Sequence, residues 1–240
     1  MKNIYKNKVY YNKNPNYHAE DSVFKYKNLI QIIKKNQIKI EFDKINKIVE
    51  IGCGAGKIIH LFKKSNLFRN ASFCGYDINP DAIKLAKLNF RDVNYICDDF
   101  LENRDSSNIV ICADVFEHVE NPYDFLKKLL IKSDMFIFNI PIEINLISIL
   151  LRTNIFKKSY EDVGHLHFYT QETALLLLEN CGYKIINTNF VSNFKNLNKK
   201  NISLLRLLFY IPHMILSLFS YEIASRILGG CSLVVLAKKK

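Results

Sequence analysis

The chain has 240 residues, of which 49% are hydrophobic and 24% are charged, and its formal net charge is +11. This composition excludes a largely disordered protein, and the length suits one α/β domain better than two. The lysines are scattered along the chain, so we interpret the charge as a solvated basic surface and expect no nucleic-acid partner.

The N-terminal segment and the cysteines indicate the compartment. Residues 1–19 are polar and rich in Tyr, without the apolar run of a signal peptide, and we expect them to form an arm beside the domain. The six cysteines form no CxxC pair, and most lie in apolar runs. We therefore expect free, buried cysteines in a cytoplasmic protein.

Hydrophobic spacing predicts that helices and strands alternate along the chain. The predicted helices are residues 20–36, 56–65, 80–89, 122–131 and 171–181. The predicted strands are residues 47–51, 72–76, 93–97, 108–112, 135–140, 183–190 and 231–237. Alternation of this kind predicts a single α/β domain with a mostly parallel sheet and helices on both of its faces.

Two stretches, 142–164 and 191–230, do not fit this alternation. Insertions at these places lie near the carboxyl ends of the strands, where open α/β sheets bind ligands. We expect both insertions on the substrate side of the domain or at an interface.

A glycine-rich loop follows the first predicted strand, in the sequence Val49-Glu50-Ile51-Gly52-Cys53-Gly54-Ala55-Gly56. Its Gly-x-Gly-x-Gly spacing differs from the Gly-x-Gly-x-x-Gly of dinucleotide-binding loops. The next predicted strand ends at Tyr76-Asp77, where an acidic side chain can accept hydrogen bonds from both hydroxyls of a ribose. Together these features favour a nucleoside ligand over a pyrophosphate.

Four motifs together resemble class I S-adenosylmethionine-dependent methyltransferases. They are EIGCGAG at 50–56, YDINP at 76–80, CDDF at 97–100 and CADVFEHV at 112–119. EHV and the later GHLHFYT at 164–170 resemble the branch with ubiquinone-biosynthesis O-methyltransferases and methyltransferases of bacterial surface-glycan clusters. The resemblance implies a Rossmann-like sheet of seven strands, mostly parallel with an antiparallel final strand, and S-adenosyl-L-methionine as the cofactor.

The resemblance also assigns cofactor-binding roles by position. Asp77 would bind the ribose, and Asp99, with Asp98 as the competing candidate, would accept the adenine amino group. The carboxylates could instead cap helices or lie solvated in loops. In the motifs, the loop under the methionine part of the cofactor would be formed by Gly52, Cys53, Gly54 and Gly56, with Glu50 nearby. Ile78 and Phe100 would lie at the adenine. Asp114 and Val115 would lie near the methionine end.

A hydroxyl acceptor must lose a proton during methyl transfer, and His is a common base for that step. We expect His165 to be the base or to contact the substrate, and His118 to orient the cofactor or pack on it; each could instead be a hydrogen-bonded structural histidine. His165 and His167 could also bind a metal, but no carboxylate cluster accompanies them in the sequence, so no metal is expected. Asn139-Ile140-Pro141 lacks the Pro-Pro pair of amino-methyltransferases, which argues against methylation of a nucleobase amine.

The segment 202–219 is strongly apolar but is interrupted by Arg206, Pro212 and His213. A membrane span needs about 20 apolar residues, and a predicted core strand follows, so a span is disfavoured. We expect a helical insert that covers the active site or contacts a homodimer partner. Peripheral contact with a membrane surface is the alternative.

The sequence thus predicts a methyltransferase that acts on a small molecule. By resemblance, the reaction is O-methylation of a sugar, a sugar nucleotide or a surface-glycan precursor. A lipid-quinone or phenol O-methyltransferase at the inner face of the membrane and an RNA methyltransferase are the alternatives.

Overall fold

The computed structural model describes residues 19–36, 42–152, 154–193 and 204–240, so nearly all of the predicted N-terminal arm lies outside the described residues. The strands are β1 (Lys47–Ile51), β2 (Ser72–Asp77), β3 (Asn94–Cys97), β4 (Ile109–Ala113), β5 (Met135–Ile142), β6 (Tyr183–Ser192) and β7 (Cys231–Lys239). The helices are α1 (Ser22–Lys35), α2 (Lys57–Lys64), α3 (Pro80–Asn89), α4 (Pro122–Leu130), α5 (Leu146–Leu150), α6 (Ile155–Asp162), α7 (Gln171–Asn180), α8 (Leu204–Phe219) and α9 (Tyr221–Leu228).

The strands form one sheet in the order β3-β2-β1-β4-β5-β7-β6. Strands β1 to β5 pair in parallel, and β7 runs antiparallel between β5 and β6. The predicted fold class, including the antiparallel final strand, is therefore confirmed. Because β1, β2, β4 and β5 point the same way, the residues that follow them meet at one edge of the sheet.

Helices cover both faces of the sheet, and the strand residues alternate between two cores. In β4, Ile109 and Ile111 pack with residues of α1 and α2, whereas Val110 and Cys112 pack with residues of α4 and α7. Strands that are buried on both sides read as continuous apolar runs, which is why the sequence predicted them well.

Local signals fix most of the helix boundaries. Asn79 caps α3 by accepting hydrogen bonds from the amides of Asp81 and Ala82, and Thr170 forms a capping box at the start of α7. The predicted helix at Gly56 begins instead at Lys57, because Gly56 has a left-handed φ of +78°.

The two predicted insertions are largely helical. The first contains α5 and α6, and the second begins within β6 and continues into α8 and α9. Helix α9 contacts both α5 and α8, so the insertions meet in space. No helix among the described residues is both long enough and apolar enough to cross a bilayer.

All six cysteines are free, and five of them are buried as expected. The expectation is wrong for Cys97, which is exposed where β3 ends at the edge of the sheet.

Candidate active site

The glycine loop connects β1 to α2 at the carboxyl edge of the sheet. Gly52, Gly54 and Gly56 have φ angles of +63°, +51° and +78°, a region that favours glycine. A Cβ on Gly56 would lie 2.5 Å from the ring of Tyr95. The sequence predicted this loop from its glycines, and the backbone angles give the physical reason for them.

Asp77 binds the glycine loop to the end of β2. One carboxylate oxygen accepts the amide hydrogen of Gly54 at 2.9 Å, and the other accepts that of Asn79 at 2.8 Å. Burial raises the pKa of Asp77, and these hydrogen bonds oppose the rise. Asp77 therefore lies beside the loop, at the position where the sequence predicts a ribose ligand. It also shapes the turn after β2, which is the alternative role that the sequence analysis left open.

Glu50 is a buried carboxyl behind the loop, with only 2% of its surface exposed. Its Oε2 accepts the amide hydrogen of Ile59 at 2.9 Å, which connects β1 to α2. Burial raises the pKa of Glu50 to about 8. Glu50 thus lies near the loop as predicted, in contact with the backbone of α2.

The residues predicted for the adenine follow β2 and β3. The side chain of Ile78 is 61% exposed, which is unusual for a large apolar residue. Asp98 accepts the amide hydrogen of Asp99, and Asp99 accepts that of Leu101, so both carboxylates also shape this turn. Phe100 is buried and packs on Tyr76, with ring centroids 4.9 Å apart.

Asp114 follows β4 with a φ of +56°, which is rare for a residue other than glycine. It forms an ion pair with Lys25 of α1 at 2.5 Å and accepts a hydrogen bond from Asn139 of β5 at 2.6 Å. Burial would raise the pKa of Asp114, but the Lys25 ammonium and these hydrogen bonds hold it below its ordinary value. Val115 lies next to the glycine loop, since a Cβ on Gly52 would be 2.7 Å from it.

His165 belongs to a hydrogen-bonded chain of three side chains. Its Nδ1 lies 2.7 Å from Oε2 of Glu143, and Ser159 donates to Oε1 of the same carboxylate at 2.6 Å. An ionised carboxylate only accepts hydrogen bonds, so Nδ1 carries the proton. Nε2 is then the nitrogen that can accept a proton from a ligand.

His118 packs against His165, with ring centroids 4.8 Å apart. Its Nδ1 donates to the carbonyl oxygen of Gly164 at 3.2 Å, because a carbonyl oxygen only accepts. Burial, followed by the neighbouring His165, lowers the pKa of His118 to about 4. These two contacts connect His118 to the loop that carries His165.

The sequence places no carboxylate cluster beside the His-x-His pair, but the fold brings a carboxylate close to His165. Glu117, His118 and His165 each offer a ligand atom, and these atoms lie within 4.8 Å of one another. His167 uses its Nε2 to contact the carbonyl oxygen of Val119 at 2.9 Å. From the sequence, His165 was paired with His167. In the structure, His165 lies close to the residues that follow β4.

Sequence reasoning missed Lys25, Glu117 and Glu143 as members of this site. Lys25 comes from α1, far from Asp114 in sequence, and no pattern indicates their contact. Glu143 had a weak signal, since it directly follows a buried strand at the carboxyl edge. Glu117 stands inside the EHV motif, yet its complete burial is visible only in the structure.

Comparison with known proteins agrees with this architecture. The family model described as "Methyltransferase domain" matches residues 49–130. No curated protein sequence matches the chain.

Several solved structures share the fold. Magnesium protoporphyrin IX methyltransferase from Synechocystis PCC 6803, with bound SAH, has a TM-score of 0.59 and 13% identity, over 91% of this chain and 84% of that one. A putative methyltransferase from Bacillus halodurans C-125 has a TM-score of 0.60 and 15% identity, over 89% and 98%. The plantazolicin methyltransferase in complex with SAH has a TM-score of 0.59 and 18% identity, over 95% and 90%.

The fold is therefore the Rossmann-like fold of methyltransferases. Within it, residues 49–130 match a methyltransferase domain, and this segment contains the glycine loop, Asp77 and Asp114. This match agrees with the enzyme class predicted from the sequence, an S-adenosylmethionine-dependent methyltransferase.

Proposed function

We propose that the protein transfers the methyl group of S-adenosylmethionine to a hydroxyl group of a small molecule. One observation carries the proposal: a nucleoside-type loop and a histidine–carboxylate pair lie at the same edge of the sheet. The loop is bound to Asp77 at 2.9 Å, and His165 is bound to Glu143 at 2.7 Å. The first group suits the cofactor, and the second suits removal of a proton from the acceptor.

The described residues at the loop fit the cofactor. Asp77 is placed to accept hydrogen bonds from the ribose hydroxyls, and the exposed side chain of Ile78 offers an apolar surface for the adenine. Asp99 or Asp98 would accept hydrogen bonds from the adenine amino group. When bound, the cofactor supplies an activated methyl group whose departure leaves a neutral thioether.

The remaining cofactor residues act through the shape of the loop. Gly52, Cys53, Gly54 and Gly56 form the turn under the methionine part, and Glu50 supports the turn through the amide of Ile59. Asp114, kept ionised by Lys25, lies near the methionine end with Val115 beside it. Phe100 supports the adenine end from the core.

His165 is the proposed general base. Glu143 accepts the Nδ1 hydrogen of His165 and stabilises the imidazolium that forms when Nε2 takes the hydroxyl proton. His118 packs on His165 and positions its ring. The chain otherwise orients the acceptor and excludes water, since methyl transfer from a sulfonium needs little further help.

The proposed acceptor is a sugar, a sugar nucleotide or a surface-glycan precursor, and its support is the resemblance of the EHV and GHLHFYT motifs. A lipid quinone or phenol is the second candidate, and it is favoured by exposed apolar side chains on the insertions. On α8 and the turn after α5, Leu218 is 81% exposed, Phe219 is 83% exposed and Leu151 is 65% exposed. Such a surface suits the inner face of a membrane, with a homodimer partner as the other possible occupant.

Isothermal titration with S-adenosylmethionine, S-adenosylhomocysteine and NAD tests the enzyme class. We expect the two adenosyl ligands to bind and NAD not to bind. Binding of NAD alone would contradict the assignment of the glycine loop.

A radiolabelled methyl-transfer assay then tests the acceptor. Nucleotide sugars, a prenylated phenol and a structured RNA would be offered in parallel at equal concentration. Transfer to the sugars supports the first candidate, and transfer to the phenol alone supports the second. Transfer to RNA alone, with a steep dependence on salt, would contradict both.

A further inference from the structure

The carboxylate that holds the proposed base is itself bound on both of its oxygens. Nδ1 of His165 lies 2.7 Å from Oε2 of Glu143, and the hydroxyl of Ser159 donates to Oε1 at 2.6 Å. The side chains of Glu143 and His165 are 15% and 12% exposed, so water has little access to these hydrogen bonds. Among the described residues, Ser159 and His165 are the two side chains that hydrogen-bond to this carboxylate.

The contact on the second oxygen matters because the last torsion of a glutamate side chain is broad and roughly twofold. A carboxylate that is bound through one oxygen can rotate about this torsion, and the acceptor for Nδ1–H of His165 then moves with it. A contact on each oxygen fixes the plane of the carboxylate. The imidazole ring is then fixed as well, and with it the direction in which Nε2 meets the acceptor hydroxyl, on which proton removal depends.

Ser159 uses its backbone and its side chain for different purposes. Its carbonyl oxygen accepts the amide hydrogens of Val163, Gly164 and His165 at 3.1, 3.0 and 3.3 Å, which ends α6 and starts the loop that carries His165. Its hydroxyl donates to Glu143 instead. Because a substitution by Ala keeps the carbonyl and removes only the hydroxyl, mutation can separate the two roles.

We propose that Ser159 is a positioning residue, which orients Glu143 and, through it, the ring of His165 for removal of a proton from the acceptor. The inference rests on the proposed function, in which His165 is the base. The hydroxyl suits this role because hydrogen bonds to ionised groups are short and roughly twice as strong as neutral ones. Since Ser159 lies on α6, the first insertion contributes to catalysis through this hydroxyl.

NMR on protein labelled with ¹⁵N-histidine tests the orientation without cofactor or acceptor. The spectrum of His165→Ala identifies the signals of this ring. In the wild type, the Nδ1 hydrogen of His165 should exchange slowly with water, because the fixed carboxylate keeps it bound. In Ser159→Ala the exchange should be about fivefold faster, whereas Ser159→Thr, which keeps a hydroxyl, should match the wild type.

Tyr160→Phe is the matched control, because it removes the hydroxyl of the next residue on α6, whose side chain is 56% exposed. Its exchange rate should equal that of the wild type. Circular dichroism confirms that each variant is folded. Equal exchange rates in the wild type and in Ser159→Ala would overturn the proposal, as would an equal acceleration in Tyr160→Phe.

Methyl-transfer kinetics test the consequence for turnover, with the hydroxyl acceptor that the wild type methylates in the radiolabelled assay. Ser159→Ala should lower kcat about tenfold, while KM for the acceptor and the affinity for S-adenosylmethionine stay within about twofold, since the hydroxyl is assigned no contact with either ligand. Ser159→Thr should restore kcat. In a Glu143→Ala background, Ser159→Ala should have no further effect, because the hydroxyl acts through that carboxylate.

An additional loss from Ser159→Ala in the Glu143→Ala background would assign Ser159 a structural role and overturn the proposal. Wild-type kcat in Ser159→Ala would also overturn it, provided that His165→Ala has lost its turnover. Failure of the proposed function has a different signature, which is wild-type turnover in His165→Ala. The exchange of the Nδ1 hydrogen still reports in that case whether Ser159 orients the ring.

Discussion

The proposed site has a cofactor half and an acceptor half, and the two differ in how their residues come together. The cofactor half is built from loops that directly follow neighbouring parallel strands, such as the pairing of Gly54 with Asp77. The acceptor half is built from the end of β5 and the segment that follows the first insertion, as in the pair Glu143–His165. The first half can be recognised from short motifs, whereas the second requires the whole fold.

The difference has a chemical counterpart. The cofactor half offers backbone amides and carboxylates with fixed partners, which suits one invariant ligand. The acceptor half contains titratable groups whose properties depend on burial, including Glu117 and His118. A site of that kind can be adapted to different acceptors without changing the sheet.

The largest expected effect is the loss of the proposed base. His165→Ala should lower turnover about 10²- to 10⁴-fold, because general base catalysis is typically worth that much. The affinity for S-adenosylmethionine should change less than about twofold, a difference of about 0.4 kcal/mol, since no cofactor role is assigned to the ring. Steady-state kinetics and isothermal titration on the same variant measure both quantities.

His167→Ala is the matched control, because that ring contacts the carbonyl oxygen of Val119 and packs on Tyr169 in the same segment. Its turnover should stay close to wild type. If His165→Ala keeps wild-type turnover with a hydroxyl acceptor, His165 is not the base. The acceptor half would then have no catalytic residue assigned to it.

The next effect concerns the cofactor half. Asp77→Ala should weaken the binding of S-adenosylmethionine about 100-fold, because two hydrogen bonds from ribose hydroxyls to a carboxylate are worth about 3 kcal/mol. Asp81→Ala, an exposed carboxylate in the first turn of α3, should bind like the wild type. If Asp77→Ala is folded and binds S-adenosylmethionine with unchanged affinity, Asp77 does not bind the ribose.

The limits of sequence reasoning follow from the same contrast. The sheet was predictable because strands buried on both faces are continuous apolar runs, and the glycine loop was predictable because only glycine adopts its φ angles easily. Asn139 is a polar residue in the apolar strand β5, but its hydrogen bond to Asp114 depends on the register between β4 and β5. The burial of Glu117 and the reach of Lys25 depend on tertiary packing, and no local pattern contains that information.

A smaller effect tests the apolar surface of the insertions. Replacing both Leu218 and Phe219 by Ser should weaken association with anionic lipid vesicles about tenfold, since partial burial of two such side chains is worth about 1–2 kcal/mol. Leu176→Ser, an exposed apolar residue on α7, is the control and should have no effect. Co-sedimentation with vesicles measures the binding.

Sedimentation velocity on the same proteins separates the two possible occupants of this surface. A dimer that dissociates in the Leu218 and Phe219 variant, with no vesicle binding by the wild type, would favour a partner subunit over a membrane. A wild type that neither dimerises nor binds vesicles would contradict both.

The smallest effect is a pH dependence of stability that originates in the cofactor half. The pKa of Glu50 is about 8 in the folded chain because of burial, against an ordinary value of 4.5. Between these values the folded state binds more protons than the unfolded state, so the free energy of unfolding falls as the pH rises. From pH 6 to pH 7 the contribution of Glu50 should be about 1 kcal/mol, with full stability below pH 4.5 and the full loss above pH 8.

Glu50→Gln isolates this term, since the amide oxygen can still accept the hydrogen bond from Ile59 while the side chain no longer titrates. Urea unfolding at pH 6, 7 and 8 should therefore show a shallower decline for Glu50→Gln than for the wild type, and Glu120→Gln should follow the wild type. Asp77 is the nearest acidic neighbour and Lys25 a nearby cation, and both are common to all three proteins, so their titration cancels in the difference. If the free energy of unfolding falls equally with pH in the wild type and in Glu50→Gln, Glu50 is solvated in solution. The cofactor half would then be less rigid than the acceptor half.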